Sequence, residues 1–250
     1  MKKLTFLFFA LYLIQSLTAC SRHKHKYNPQ AIKLNDSAIA LTVDPPMISN
    51  KGDTSTISKI AKHGNSGPLT IPSASDTVWC PMYNDSVLYE KAVGLLNKAL
   101  QIDSNYLIAY FNKFGFQCHL TKYKDALATG KQIIRLNPND GTIQYLVGMV
   151  FEIRGDSASA KGYYESALVL YDKKLASMDI DDKHYKSIKA SKAMDLIMLG
   201  RTKEAHEIFQ ELYDAADEKY KWEYKEYLAS TRSDFLNVLK PQGPVVENVR

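Results

Sequence analysis

A repeat of 34 residues runs through most of the C-terminal two thirds of this 250-residue chain, and it constrains the fold more than any other feature. Identical or chemically similar residues return at that interval. The recurring sets are Tyr89 and Tyr123; Ala92, Ala126 and Ala160; Ile102, Leu136 and Leu170; and Asn105 and Asn139. A fixed period of this length is typical of repeat architectures, in which each unit buries its apolar face against its neighbours. The period therefore predicts a stack of similar units.

The residues within each copy indicate what the unit is. One copy carries Ala109, Tyr110, Leu120, Tyr123, Ala126 and Pro138; the next carries Gly148, Phe151, Gly155, Ala160, Tyr164, Ala167 and Leu168; a third, offset by 45 residues, carries Ala193, Leu196, Gly200, Ala205 and Phe209. This alternation of small and large apolar residues resembles the tetratricopeptide repeat (TPR), a helix–turn–helix unit of 34 residues. The resemblance implies an all-α superhelix of helical hairpins with about three and a half repeats.

One repeat departs from the family pattern in two places. Phe114 stands where a small residue is usual, and Gly130 stands where a large aromatic residue is usual. A large-for-small and a small-for-large exchange within one unit compensate in volume if the two side chains face each other. We therefore expect Phe114 to occupy the room that Gly130 leaves.

The resemblance also divides the chain into segments. Asn28 is a good N-cap and Pro29 a good first helical residue, so a helix is expected to begin there. This helix would supply the first half of the hairpin whose second helix carries Tyr89. The expected segments are an N-terminal helix over 28–43, a flexible insertion over 44–84, TPR repeats over 85–216, a capping helix over 217–240 and a tail over 241–250.

The first twenty residues predict export and lipidation. Two lysines precede an apolar stretch from Leu4 to Ile14, which is short for a membrane-spanning helix and typical of a secretory signal. The sequence LTAC that ends at Cys20 resembles the bacterial lipobox, which implies a signal peptide over 1–19 and lipidation of Cys20. A basic tether over 20–27 would then hold the protein on the membrane of the bacterial cell envelope. An uncleaved anchor and a simple secretory signal are the alternatives.

Charge and motifs argue against nucleic-acid binding and catalysis. The chain has 32 basic and 27 acidic residues, a formal net charge of +5, and the two signs are interspersed. His206 and Glu207 begin the zinc-binding pattern HExxH, but Gln210 replaces the second histidine. A phosphate-binding glycine loop and a nucleophile elbow are both missing from the sequence. We therefore expect no enzymatic activity, no cofactor and no metal site.

Protein binding is what the resemblance implies, through a concave groove lined by the first helix of each repeat. Mapping those helices places six apolar residues in the groove: Ile108, Phe111, Tyr145, Met149, Met194 and Ile197. The Lys, Arg and Asn residues with which some TPR domains clamp a carboxylate are lacking, which predicts an amphipathic helix or apolar peptide of an envelope protein as the ligand. Alternatively, the chain fills the groove itself with the 45–80 segment or its C-terminal helix.

A function of a different class is the second hypothesis. The tyrosines, lysines and tryptophan over 220–227 are of the kind that stack on sugars, which suggests a glycan- or small-ligand-binding accessory of an envelope uptake system.

The cysteines that follow Cys20 give one more expectation. Successive helices of TPR hairpins run antiparallel, which brings Cys118 near the start of the helix that follows Cys80. This placement predicts a Cys80–Cys118 disulfide, which requires Cα atoms within about 7 Å. The alternative is that Cys118 is an ordinary buried thiol.

Overall fold

The computed structural model describes residues 27–43 and 86–240, and every regular element in these two ranges is a helix. The ten helices of the described ranges are α1 (Pro29–Val43), α2 (Ser86–Ile102), α3 (Leu107–His119), α4 (Tyr123–Leu136), α5 (Gly141–Ile153), α6 (Ser157–Ala176), α7 (Tyr185–Met198), α8 (Thr202–Asp214), α9 (Glu218–Ala229) and α10 (Arg232–Asn237). The predicted all-α class is confirmed. The segments predicted to be a signal peptide, an insertion and a tail, and nearly all of the predicted tether, lie outside the described residues.

Consecutive helices pack against each other as four hairpins: α1–α2, α3–α4, α5–α6 and α7–α8. The second helix of each hairpin also contacts the first helix of the next element, so the hairpins form a linear array. The first hairpin joins α1 to α2, although residues 44–85 separate them in the chain. Each hairpin thus buries apolar surface that it cannot bury alone.

The turns inside three hairpins share one backbone conformation. Gly155, between α5 and α6, has φ 84°, and Gly200, between α7 and α8, has φ 77°. At the equivalent turn between α3 and α4, Thr121 has φ 56°. In each turn the next amide donates to the carbonyl five residues back, as Asp156 does to Phe151 at 3.0 Å, which satisfies the helix end. Glycine adopts this left-handed conformation without strain, whereas a β-branched residue does not.

Phe114 and Gly130 exchange roles in the α3–α4 hairpin. A Cβ added to Gly130 would lie 3.3 Å from Cε2 of Phe114 and 2.5 Å from Cγ2 of Val147. One repeat further along the chain the small residue is Gly148 and the large one is Tyr164, where an added Cβ would lie 2.6 Å from the tyrosine ring. The compensating exchange predicted from the sequence is therefore confirmed.

The buried apolar side chains form two clusters that share α3. The N-terminal cluster comprises Ala31, Ala38, Ile39, Tyr89, Ala92, Val93, Leu96, Ala99, Tyr106, Ala109 and Phe116. The C-terminal cluster begins at Phe111 in α3, continues through residues such as Leu146, Tyr164, Leu196 and Phe209, and ends at Leu239. A buried hydrogen bond ties α3 to α1, in which Nδ2 of Asn112 donates to Oδ1 of Asn35 at 2.8 Å. Thus α3 belongs to both ends of the array.

The C-terminal segment differs from the expected capping helix over 217–240. It forms two helices, α9 and α10, which are separated at Ser230 and Thr231. The Thr231 side chain accepts from the Asp234 amide while the Asp234 carboxylate accepts from the Thr231 amide, which makes a capping box. The second helix begins at that box. The prediction of one continuous helix is wrong because this local start signal interrupts the apolar periodicity.

Candidate functional site

Five of the six residues expected to line an open groove are buried. Phe111, Tyr145, Met149, Met194 and Ile197 are between 0% and 7% exposed, and all belong to the C-terminal cluster. The sixth, Ile108, is half-buried against the N-terminal cluster. The six side chains therefore do not form one surface. These positions therefore do not offer an open apolar groove, and the apolar helix or peptide expected as the ligand stays a prediction.

The chain's own C-terminal helices contact the helices expected to line the groove. Nε of Arg232, at the start of α10, donates to Oε1 of Glu152 in α5 at 2.7 Å. The other oxygen of this carboxylate accepts from the Tyr164 hydroxyl at 2.8 Å. The short helix α10 also contacts α7. The ring of Tyr227 in α9 stacks on the ring of Phe209 in α8, with the ring centroids 5.2 Å apart. This arrangement corresponds to the alternative in which the C-terminal helix fills the groove.

The cysteine predictions fall mostly outside the described residues. Cys20 and Cys80 both lie there, so lipidation of Cys20 stays a prediction. Cys118 is a free thiol and is fully buried, which raises its pKa above the ordinary range of a thiol. Cys118 has the properties of an ordinary buried thiol, and the Cys80–Cys118 disulfide stays a prediction because Cys80 lies outside the described residues.

A polar cleft of about 690 Å³ lies between α2, α3 and α4. Each helix contributes side chains spaced three or four positions apart, so one face of each helix lines the cleft. The lining residues are Glu90, Val93, Gly94 and Asn97 from α2; Tyr110, Lys113 and Gln117 from α3; and Lys122, Asp125, Ala128, Thr129 and Gln132 from α4 and the residue before it. A volume of this size is in the range of sites that bind small ligands.

The floor of the cleft is α3, because that helix packs against both α2 and α4. The Thr129 hydroxyl donates to Oε1 of Gln117 at 2.7 Å, which fixes the carboxamide. Lys113 is half-buried, and desolvation lowers its pKa while nearby Asp125 opposes that shift. Among the described residues, no carboxylate forms an ion pair with the Lys113 amine. The floor therefore presents an ammonium group and a carboxamide nitrogen to an entering ligand.

An ion pair between the two walls lies at the rim of the cleft. Nζ of Lys122 lies 2.5 Å from Oε1 of Glu90, which connects the start of α4 to the start of α2.

The cleft and the expected groove use different faces of α3. Lys113 and Phe111 are two positions apart, about 200° around the helix. The cleft therefore lies on the face of α3 opposite the one expected to line the groove.

A second group of polar side chains is buried between α5, α6 and α7. Asp195 of α7 is 0% exposed, and neither of its carboxylate oxygens has a hydrogen-bond partner. Burial raises its pKa to about 9, so the carboxyl group is protonated at neutral pH. Tyr145, Tyr164 and Tyr171 lie near this carboxyl group, and burial is the main cause that raises their pKa values. Because these groups are buried, they affect the stability of the array rather than a ligand.

Part of the aromatic cluster over 220–227 is accessible on α9. Tyr220 is 50% and Trp222 is 39% exposed, and the indole N–H of Trp222 donates to the Lys219 carbonyl at 2.7 Å. Tyr224 and Tyr227 are buried in the C-terminal cluster. The sugar-stacking hypothesis thus rests on two rings.

The described residues contain neither a metal-binding cluster nor a membrane-spanning helix. Over 27–43 and 86–240, no three or more His, Cys, Asp or Glu side chains are grouped so that they could hold a metal ion. In those ranges no helix combines the length and the apolar character needed to cross a bilayer.

The cleft was not predicted from the sequence, although a signal was present. Lys113 and Gln117 are four positions apart on α3, and Asp125 and Gln132 are seven apart on α4, so each pair shares a helix face. A polar stripe of this kind is ordinarily a solvated face. Only the packing of α2 and α4 on either side of α3 shows that the stripes converge.

The similarities of this chain to known proteins cover parts of its length. No protein-family model matches the chain. Over 85 residues, 34% of its length, it is 32% identical to the TPR repeat-containing protein MJ1428 of Methanocaldococcus jannaschii, and it spans 15% of that protein. Its structure is similar to the crystal structure of MamA over 57% of this chain and 71% of that chain, with 18% identity and a TM-score of 0.35.

The helical hairpins and the repeat similarity together define the class of this protein. It has an all-α, TPR-like fold built from helix–turn–helix units. Repeat arrays of this class present extended surfaces on which other proteins can bind.

Proposed function

We propose that this protein is a lipid-anchored scaffold that binds other proteins in the bacterial cell envelope. The TPR-like array of hairpins is the observation that carries the proposal, since such arrays present extended surfaces to protein partners. The lipobox-like sequence before Cys20 supports the location. The absence of a legible catalytic set in the sequence favours binding over catalysis.

The anchor would hold the array close to the membrane. The first helix begins at Pro29, nine residues after Cys20. A fully extended chain of nine residues spans about 30 Å, which limits the distance between the lipid and α1. Several acyl chains on one residue exceed the two-signal requirement for stable anchoring. The partner is therefore expected to be another envelope protein.

The partner-binding surface is expected on a part of the array that its own C-terminal helices leave open. The apolar positions of α5 and α7 are buried, so they offer little to a partner. The cleft between α2, α3 and α4 is concave, polar and open. It lies near the anchored end of the chain, which favours contact with proteins at the membrane.

The anchor is tested by replacing Cys20. Cys20→Ser should release the protein from membranes and abolish incorporation of radiolabelled palmitate. Continued membrane attachment without label would overturn the lipid anchor.

The scaffold is tested by crosslinking the native lipoprotein in intact envelopes and purifying it under denaturing conditions. One stoichiometric protein, identified by mass spectrometry and reproduced when that protein is itself the bait, supports the scaffold. Recovery of no protein, together with retention of the purified chain on a glycan array, would support the glycan-binding alternative and overturn the scaffold.

A further inference from the structure

The cleft offers hydrogen-bond donors that the fold has not used. Among the described residues, Nζ of Lys113 has neither a hydrogen bond nor an ion pair. The carbonyl oxygen of Gln117 is engaged by Thr129, which leaves its amide nitrogen for a ligand. Asp125 lies near this half-buried ammonium group without forming an ion pair with it, so an anion at bonding distance would replace the water that the group has lost. The floor therefore favours a carboxylate.

The walls favour a ligand that also carries amide groups. Asn97 and Gln132 place carboxamides on α2 and α4, and Asp125 adds a carboxylate without an ion-pair partner among the described residues. Glu90 and Lys122 neutralise each other. The lining is thus balanced in charge, so a simple anion would meet Asp125 as well as Lys113. A peptide satisfies both groups, because its acidic side chain accepts from the ammonium group and its backbone N–H donates to the carboxylate.

The dimensions fit a short extended segment. The lining faces of α2 and α4 each run over seven positions, from Glu90 to Asn97 and from Asp125 to Gln132. At a rise of 1.5 Å per residue this is about 10 Å, the length of about three extended residues. A Cβ placed on Gly94 meets nothing within 4 Å, so the wall of α2 is open at its middle.

We infer that the cleft between α2, α3 and α4 binds an extended peptide segment of a partner protein, with an Asp or Glu side chain of that segment on Lys113 and its backbone against Asn97, Asp125 and Gln132. This inference rests on the proposed scaffold function and names the surface and the partner chemistry.

The test uses the detergent-solubilised full chain and a library of random seven-residue peptides displayed on phage. The enriched peptides should share one acidic position. A synthetic peptide of the most enriched sequence should bind at least tenfold more tightly than the same peptide with that residue changed to its amide. Failure to enrich any peptide, or enrichment without an acidic position, overturns the inference.

Two variants of the protein locate the peptide in the cleft. Lys113→Met removes the ammonium group and keeps the length of the side chain, and Gly94→Gln fills the open wall. Each should weaken binding of the selected peptide at least tenfold. Their matched controls are Lys173→Met and Gly162→Gln, both at exposed positions of α6, and at Gly162 an added Cβ also meets nothing within 4 Å. Each control should change binding less than twofold.

Folding of each variant is checked by its helical circular dichroism and melting temperature. If Lys113→Met fails to fold, Gly94→Gln decides alone, because it adds atoms to open space. Unchanged binding by a folded Gly94→Gln variant places the peptide elsewhere and overturns the inference.

Crosslinking in envelopes separates this inference from the scaffold itself. Capture of a partner by the wild-type chain and its loss in Gly94→Gln supports both. Capture that survives in Gly94→Gln and in Lys113→Met leaves the scaffold standing and overturns the cleft as its site. Capture by neither wild type nor variant overturns the scaffold, and the inference that rests on it.

Discussion

The N-terminal and C-terminal clusters differ in the ionisable group that each one buries. His119, at the end of α3, is 8% exposed, and its ring lies 5.6 Å from that of Tyr89 in the N-terminal cluster. Burial lowers the pKa of His119 to about 3. Asp195 lies among the helices of the C-terminal cluster, where burial raises its pKa to about 9. Both groups are neutral in the folded protein near pH 7, because desolvation disfavours the charged form of each.

In the unfolded chain both groups ionise at their ordinary pKa values, so the two residues make folding stability depend on pH in opposite directions. An unfolded histidine binds a proton below about pH 6.5 and the folded His119 does not, so its contribution to stability is lost as the pH falls from about 6.5 to about 3. An unfolded aspartate releases its proton above about pH 4 and the folded Asp195 keeps it, so stability is lost as the pH rises from about 4 to about 9. Acid therefore weakens one end of the array and alkali the other.

The largest expected effect comes from removing the buried carboxyl group. Asp195→Asn keeps the size of the side chain and cannot ionise, so at pH 8 the variant should be more stable than wild type by several kcal/mol, at about 1.4 kcal/mol for each pH unit between the two pKa values. The advantage should shrink as the pH falls and reach its minimum near pH 4. Urea unfolding followed by circular dichroism at one-unit steps from pH 4 to 9 measures it.

The control removes the same charge from an exposed helix position. Asp214→Asn, at an exposed position at the end of α8, should change stability by about 0.5 kcal/mol or less. If Asp195→Asn raises the free energy of unfolding by the same amount at every pH, the carboxyl group does not release its proton when the chain unfolds. That result would contradict the contrast between the two clusters.

The fold of the repeats was predictable because its determinants are local. Gly148 and Tyr164 are separated by sixteen positions, and the exchanged pair Phe114 and Gly130 by the same interval. Comparing equivalent positions of the two repeats is therefore enough to detect the exchange. The break before α10 was missed although its signal is also local. Its signal, Thr231 followed three residues later by Asp234, is a short polar motif inside a stretch whose tyrosines and leucines continue at helical spacing.

The candidate site was less predictable, because hydrophobic spacing does not say what covers an apolar face. Tyr145 and Met149 have the same pattern whether a partner or α9 and α10 pack against them. The ion pair between Arg232 and Glu152 joins residues eighty positions apart, and no local rule connects them. The burial of Asp195 could not be predicted from the sequence either, since an aspartate in a helix is ordinarily on the surface.

A smaller effect is expected at the N-terminal cluster. His119→Phe keeps a ring beside Tyr89 and cannot take up a proton. Between pH 7 and pH 5 the wild type should lose about 2 kcal/mol of stability through this residue, since each pH unit below the unfolded pKa costs about 1.4 kcal/mol, and the variant should lose none of that amount. The same urea series measures the difference between the two pH values for each protein.

An NMR titration provides the check on that interpretation. The imidazole of His119 should show no protonation above pH 5 in the folded wild type. A midpoint near pH 6.5 would mean that another group causes the acid sensitivity. The acid dependence attributed to the N-terminal cluster would then be wrong.

The smallest effect concerns the turn at the junction of the two clusters. Thr121 follows α3, the helix that both clusters share, and its φ of 56° is strained for a β-branched residue, whereas Gly155 and Gly200 adopt the same conformation freely. Thr121→Gly should stabilise the array by about 1 kcal/mol, since relief of strain exceeds the added freedom of glycine in the unfolded chain. The reverse change, Gly155→Thr, should destabilise it by a similar amount, and it isolates the backbone term because a Cβ at Gly155 meets nothing within 4 Å. Urea unfolding at a single pH compares the two variants, because neither substitution adds or removes an ionisable group. A stabilising Gly155→Thr would show that the left-handed turn carries no strain here, and that the junction is no weaker than the turns within the C-terminal cluster.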